Sequence, residues 1–144
     1  MEENRPNPDA LLARIEAESP ASSRGSLRIF FGYAAGVGKT YSMLKSAQLA
    51  SQQGQEVVVG YIEPHARPET ESLVTGLELL PVREFSHRGV MLREFDIDAA
   101  LARQPEILLV DELAHTNAVG SRHDKRWQDV EELLHAGINV CTTL

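Results

Sequence analysis

Short apolar runs alternating with helix-length stretches predict an α/β chain built on a mostly parallel open sheet flanked by helices. Three observations carry this expectation. Four runs, "LRIFFG" (27–32), "QEVVVGYI" (55–62), "PEILLVDE" (105–112) and "INVCTTL" (138–144), have the length and apolar density of buried strands. Segments of helical composition separate them, as the crossovers of a parallel sheet require. The first run ends in a loop of small residues that closes on Gly38-Lys39-Thr40, where a helix-like pattern begins. Right-handed crossovers then bring the C-terminal ends of the strands to one edge, where ligands of such sheets bind.

Residues 1–26 are polar, carry one short amphipathic stretch, "PDALLARIEAES", and end in "PASSRGS", so they read as a flexible N-terminal arm. The domain proper spans 27–144. After the glycine loop, "KTYSMLKSAQLASQQG" has helical composition and stops at Gly54. Beyond the second strand, "EPHARPE" is rich in turn residues and leads into a helix from Glu69 to about Gly76, with Pro68 suited to its first turn. "VREFSHRGVML" alternates like a hairpin turning at "HRG", and "DIDAALARQ" opens a helix with Asp96 or Asp98 as its cap. A polar loop follows the third strand. Then "DKRWQDVEELLHAG" places Trp127, Val130, Leu133 and Leu134 on one helical face and the acidic residues on the other, ending at Gly137. The last strand stops at Leu144 inside an apolar run, which reads as a domain truncated at its C-terminal end with a sheet edge left bare.

Composition narrows the function classes. At 144 residues and 42% apolar content the chain suits one domain with a substantial core. Fourteen Lys and Arg against 21 Asp and Glu give a net charge of -7, opposite to the footprint of a protein that binds nucleic acid or an anionic membrane. Cys141 is the single cysteine, so no intrachain disulfide forms. In an apolar strand it reads as an inert buried thiol. No apolar run approaches the roughly 20 residues of a membrane-spanning helix, and the N-terminus lacks a signal-peptide core, which makes the cytoplasm the default. The histidines lack zinc-like spacing.

The glycine loop carries the sharpest chemical signal. In a P-loop, backbone N–H groups form a nest for phosphate and the following helix N-terminus adds its partial positive charge. Here Gly36, Val37 and Gly38 would supply the nest, Lys39 would neutralise the β- and γ-phosphates, and Thr40 would ligate Mg²⁺ through its hydroxyl. The fold expectation becomes P-loop NTPase-like, with ATP and Mg²⁺ as cofactors. The usual G-x-x-x-x-G-K-[ST] spacing demands glycine at Tyr33, and the glycine stands one position early, at Gly32. The competing reading is a glycine-rich turn without a ligand. "ILLVDE" adds a carboxylate at a strand end: Asp111 is a candidate for holding Mg²⁺, and Glu112 is a candidate general base. Around them, His115 and Arg122 are candidate nucleotide-sensing groups, and Glu63, His65 and Arg67 follow the second strand at the same edge. The plainer reading of these charges is a solvated loop with ordinary stabilising contacts.

"FFGYAAGVGKTYSML", "VVVGYIEPHARPET", "REFDIDAALARQPEILLVDELAHTN" and "GSRHDKRWQDVEELLHAGINVCTTL", in this order, resemble the N-terminal cytoplasmic domain of the KdpD-type osmosensitive potassium-channel sensor histidine kinases. The resemblance runs from about Leu27 to Leu144, and "DELAHTN" with "GSRHDKRWQDVEELL" is more specific than the glycine loop. It implies an ATP-binding regulatory domain of a two-component sensor that controls high-affinity potassium uptake. It also implies a nucleotide site at Gly36, Gly38, Lys39, Thr40, Asp111 and Glu112. The early glycine is implied to be a family trait, although a small residue is more usual than Tyr33 beside it.

On this resemblance the chain is the soluble, cytoplasmic part of a bacterial inner-membrane sensor. Its partners are ATP and the sensor domains beyond Leu144; membrane contact runs only through those segments, and a homodimer is left open. A universal-stress-like module, membrane helices, a phosphoacceptor histidine and a kinase core do not fit in the chain, so autophosphorylation by this segment is not expected. Two other readings stay in view. One is a free-standing P-loop ATPase or small phosphotransferase with Glu112 as base and Arg122 or Arg126 as the cation. The other is an interaction domain that keeps the fold without the site.

Overall fold

The computed structural model describes residues 24–31, 38–63 and 68–144. The arm up to residue 23, the loop residues Gly32, Tyr33, Gly36 and Val37, and the pair His65 and Arg67 lie outside the described residues.

In chain order the elements are β1 (Leu27–Phe30), α1 (Lys39–Gln52), β2 (Val57–Tyr61), α2 (Pro68–Val74), β3 (Glu78–Leu79), β4 (Arg83–His87), β5 (Val90–Glu94), α3 (Ile97–Arg103), β6 (Ile107–Val110), α4 (Arg126–His135) and β7 (Asn139–Thr143). Five strands form one parallel sheet in the order β1-β7-β6-β2-β3. The mixed α/β fold with a mostly parallel, helix-flanked sheet is therefore as the sequence predicts.

Period-2 alternation along the strands divides the core between the two faces. Val57, Val59 and Leu109 pack with Met43, Leu44 and Ala47 of α1 and with Leu73 and Val74 of α2. Val58, Leu108, Val110 and Val140 pack on the other face with Ile97 and Ala100 of α3 and with Val130, Leu133 and Leu134 of α4. Because β2 and β6 are covered on both sides, their runs are nearly continuous in apolar residues.

The last strand does not form the bare edge that its position in the sequence suggests. β7 lies between β1 and β6 and is paired on both sides, with Leu27 opposite Val140 and Leu109 opposite Cys141. Among the described strands the edges are β1 and β3. β3 has no counterpart in the sequence reading: it is two residues long and both are exposed. It is held by pairing to Val58 and Val59, by the bond from the Leu80 N–H to the Val59 carbonyl, and by a two-pronged contact from Arg103 to Glu78.

The expected hairpin is present. β4 and β5 pair in antiparallel register around Arg88 and Gly89, with φ of 53° and 79°. Two left-handed residues in succession make the type I′-like connection that matches strand twist. Asp96 caps α3 by accepting from the Ala99 N–H at 3.0 Å. Asp98, the alternative cap, instead pairs with Arg122 at the surface.

One face of α4 departs from expectation. Arg126 is fully buried and Asp129 is 4% exposed, so the charged residues of this helix do not all face solvent. Asp129 accepts from the Asn117 side chain at 3.0 Å, and burial pushes its carboxyl above the ordinary range.

Gly60 marks a register shift between Val59 and Tyr61 on the β6 side. A β-carbon there would lie 2.7 Å from the Phe95 ring and 3.2 Å from Leu108. Gly60→Ala is therefore expected to destabilise the fold by about 1–3 kcal/mol through overpacking, measured as a lower urea midpoint at unchanged m-value.

Candidate functional site

The C-terminal ends of β6 and β7 and the N-terminus of α1 converge on a cleft of about 270 Å³ lined by Lys39, Glu112, Ala114, His115, Thr143 and Leu144. Gly38 precedes the helix in the left-handed region, φ 79°, a conformation that favours glycine. Among the described residues no side chain caps this end, and no acidic residue lies in the first turn. The orphan N–H groups and the positive end of the helix dipole are thus uncompensated by acidic side chains of the first turn.

Thr40 lies in that first turn and Asp111 directly follows β6, with β7 between their two strands. The Thr40 hydroxyl stands 3.2 and 3.3 Å from the two oxygens of the Asp111 carboxylate. Asp111 is 1% exposed, and hydrogen bonds offset the cost of burying its charge. Its Oδ2 accepts from the Glu63 N–H at 3.0 Å and its Oδ1 from the Thr143 hydroxyl at 2.5 Å. The sequence reading singled out Thr40, Asp111 and Glu63 but missed Thr143. Its signal was a hydroxyl at the end of a neighbouring strand, legible only once the strand order was known.

Glu112 faces the same cleft in a left-handed backbone conformation, φ 63°. Its N–H is held by Thr143 Oγ1 at 2.9 Å. A hydrogen bond with the Glu63 carboxyl, burial, and the charges of Glu63 and Asp111 push the Glu112 carboxyl up to about 7, with Arg126 opposing.

Behind the cleft, Arg126 donates to the Asp111 carbonyl at 2.8 Å and to Glu94 Oε1 at 3.2 Å. Its guanidinium lies 4.3 Å from the centre of the Tyr61 ring, a cation–π contact. Glu94, at the end of β5, also meets His115 Nε2 at 3.0 Å and accepts from the Ala118 N–H at 2.9 Å. Arg126 is thus committed to the core rather than offered to a ligand. Arg122 pairs with Asp98 and Glu132 and does not line the cleft, whereas His115 does.

The loop between β6 and α4 closes on itself. Asn117 donates to the His123 carbonyl and to Asp129, its N–H bonds the Asp124 carbonyl, and Lys125 reaches Thr116. The plainer expectation of stabilising contacts holds for Arg122, and His123 and Lys125 are likewise engaged, with Glu132 and Thr116. Cys141 is half-buried, and burial raises its thiol.

Two outcomes follow from these contacts. Arg126→Ala strands Glu94 without its buried cation and is expected to cost about 3–5 kcal/mol, read by chemical denaturation. For Glu112 the folded carboxyl, near 7, binds its proton more tightly than the unfolded one at 4.5. The contribution is full below about 4.5 and is lost as pH rises through about 7. Stability should therefore fall with rising pH in that window, and Glu112→Gln should flatten that part of the profile.

The family described as KdpD, osmosensitive K+ channel His kinase sensor domain, matches residues 23–144. Sensor protein KdpD of Clostridium acetobutylicum is 59% identical over 140 residues, 97% of this chain and 16% of the relative. Sensor protein KdpD of Escherichia coli is 54% identical over the same share of this chain and 15% of its own length. A putative sensor protein KdpD of Synechocystis is 50% identical over 89% of this chain and 35% of the relative. The chain spans between about a seventh and a third of these relatives. The match covers the glycine loop, the Asp111 strand end and α4 alike, and the chain belongs to the KdpD osmosensitive K+ channel His kinase sensor domain family.

Proposed function

We propose that this chain is a regulatory nucleotide-binding domain with a P-loop NTPase-like fold, spanning residues 27–144. On this reading it binds ATP with Mg²⁺ and reports occupancy to other parts of a two-component sensor controlling potassium uptake. The observation that carries this reading is the Thr40 hydroxyl facing the Asp111 carboxylate at 3.2 Å beside an uncapped helix N-terminus. A hydroxyl and a carboxylate are hard oxygen donors, the kind Mg²⁺ takes.

Among the described residues no group of three or more His, Cys, Asp or Glu side chains could hold a metal on its own. That fits Mg²⁺, which usually keeps waters and is completed by substrate phosphates. Thr40 and Asp111 would hold the metal, Gly36, Val37 and Gly38 would face the phosphates with their N–H groups, and Lys39 would neutralise the phosphate charge. When bound, the ion supplies charge neutralisation between phosphate oxygens. Glu112 lines the cleft next to Lys39, which keeps it the candidate base for slow hydrolysis. The sensor role rests on the family and on relatives named as sensor proteins. Among the described residues no helix is long and apolar enough to cross a membrane, so membrane attachment would run through other segments of the sensor.

Calorimetric titration with ATP tests this reading. Lys39→Ala removes a charge-assisted contact worth roughly 1.5–3 kcal/mol, so affinity should fall by about tenfold to over a hundredfold in a folded protein. Asp111→Asn should weaken binding chiefly when Mg²⁺ is present. Equal affinities of wild type and Lys39→Ala, with and without Mg²⁺, would remove the nucleotide from this loop.

A further inference from the structure

We infer that Thr143 is a positioning residue that sets the geometry of the two acidic residues following β6, Asp111 and Glu112, an inference that rests on the proposed nucleotide reading for its functional consequence. Thr143 closes β7, the strand between the one that feeds the glycine loop and the one that ends at Asp111. It is 2% exposed. Its hydroxyl has one proton and gives it to Asp111 Oδ1 at 2.5 Å, while an oxygen lone pair accepts the Glu112 N–H at 2.9 Å. One rotor therefore does two things.

The first is to fix the Asp111 carboxylate. Each oxygen receives one close donor, Thr143 on Oδ1 and the Glu63 N–H on Oδ2, so the carboxylate plane is set from both sides while it faces Thr40. The second is to hold Glu112 in its left-handed conformation, which a non-glycine residue rarely adopts without a compensating contact. The Leu113 N–H bonds the Thr143 carbonyl at 2.9 Å, so the same residue grips the chain on both sides of Glu112. With the hydroxyl removed, Asp111 loses a buried donor and the Glu112 N–H its acceptor. Valine in place of threonine keeps the shape of the side chain and deletes only these two bonds, and serine restores them.

The test uses the 144-residue chain as wild type, Thr143→Val and Thr143→Ser. Amide hydrogen exchange of Glu112, followed by NMR without nucleotide, reads the positioning itself. Thr143→Val should speed exchange at Glu112 by about tenfold relative to amides of α1, and Thr143→Ser should leave it near wild type. Equal protection in wild type and Thr143→Val overturns the inference.

ATP titration with and without Mg²⁺ reads the consequence. The Mg²⁺-dependent gain in affinity should fall by about tenfold in Thr143→Val and persist in Thr143→Ser. A residue that only fills space would lower the denaturation midpoint without touching this metal-dependent part. A wild-type chain that binds no ATP overturns the nucleotide reading, and exchange at Glu112 then decides the positioning role alone. If Thr143→Val does not fold, Thr143→Ala is read in the same way against Thr143→Ser.

Discussion

The buried guanidinium of Arg126 is the contact on which the arrangement of this domain depends. A fully buried cation is costly unless its surroundings compensate it. Here the compensation comes from three other parts of the chain: Glu94 from β5, the Asp111 carbonyl from the end of β6 and the Tyr61 ring from the end of β2. Their convergence fixes how the hairpin, which makes no ladder pairing with the main sheet, is attached to it. Arg126 Nε finds no acceptor among the described residues, and the guanidinium carbon lies 4.3 Å from the centre of the Tyr61 ring. Lysine would lack the planar fork that spans the carbonyl and the carboxylate together.

From this anchor the cleft is built outward. Arg126 takes the carbonyl of Asp111, which leaves the carboxylate of the same residue to point at Thr40, Glu63 and Thr143. Glu94 holds His115 at the cleft wall and fastens the start of the 115–125 loop through the Ala118 N–H. The positions of Asp111 beside the cleft and of His115 in its wall are thus set by one ion pair behind it. None of these bonds engages Lys39 or the first N–H groups of α1.

Periodicity made the sheet and its helices legible, because strands covered on both faces are almost uninterrupted in apolar residues and the glycines punctuate them. The hairpin was readable for a local reason, the Arg88-Gly89 turn. β3 was not, since a two-residue edge strand has no pattern of its own and is defined by pairing and by Arg103. The pairing of β7 on both sides was also hidden, because strand order is a long-range property that neighbouring residues do not encode. In the site, Thr40 and Asp111 were found from chemistry at motif spacing. Arg126 and Thr143 were misjudged or missed because helix-start arginines and strand-end threonines are usually ordinary; what distinguishes these two is a partner 15 to 32 positions away.

The charge balance at the strand ends bears on what such a cleft can accept. Glu63, Asp111 and Glu112 are gathered at one edge, and a hydrogen bond with the Glu63 carboxyl, burial and then the charges of Glu63 and Asp111 raise the Glu112 carboxyl. Arg126 is already engaged behind the cleft, so among the described residues Lys39 is the cation that lines the opening. A polyphosphate entering without a metal would meet the Asp111 carboxylate with one lysine and a helix dipole to offset it, and like charges at close range cost more as water is excluded. A divalent ion between carboxylate and phosphate reverses the sign of that encounter. On the proposed reading, the acidic edge makes the cleft selective for the metal complex of the nucleotide, and the hydroxyls of Thr40 and Thr143 hold Asp111 in the orientation from which it can meet the ion.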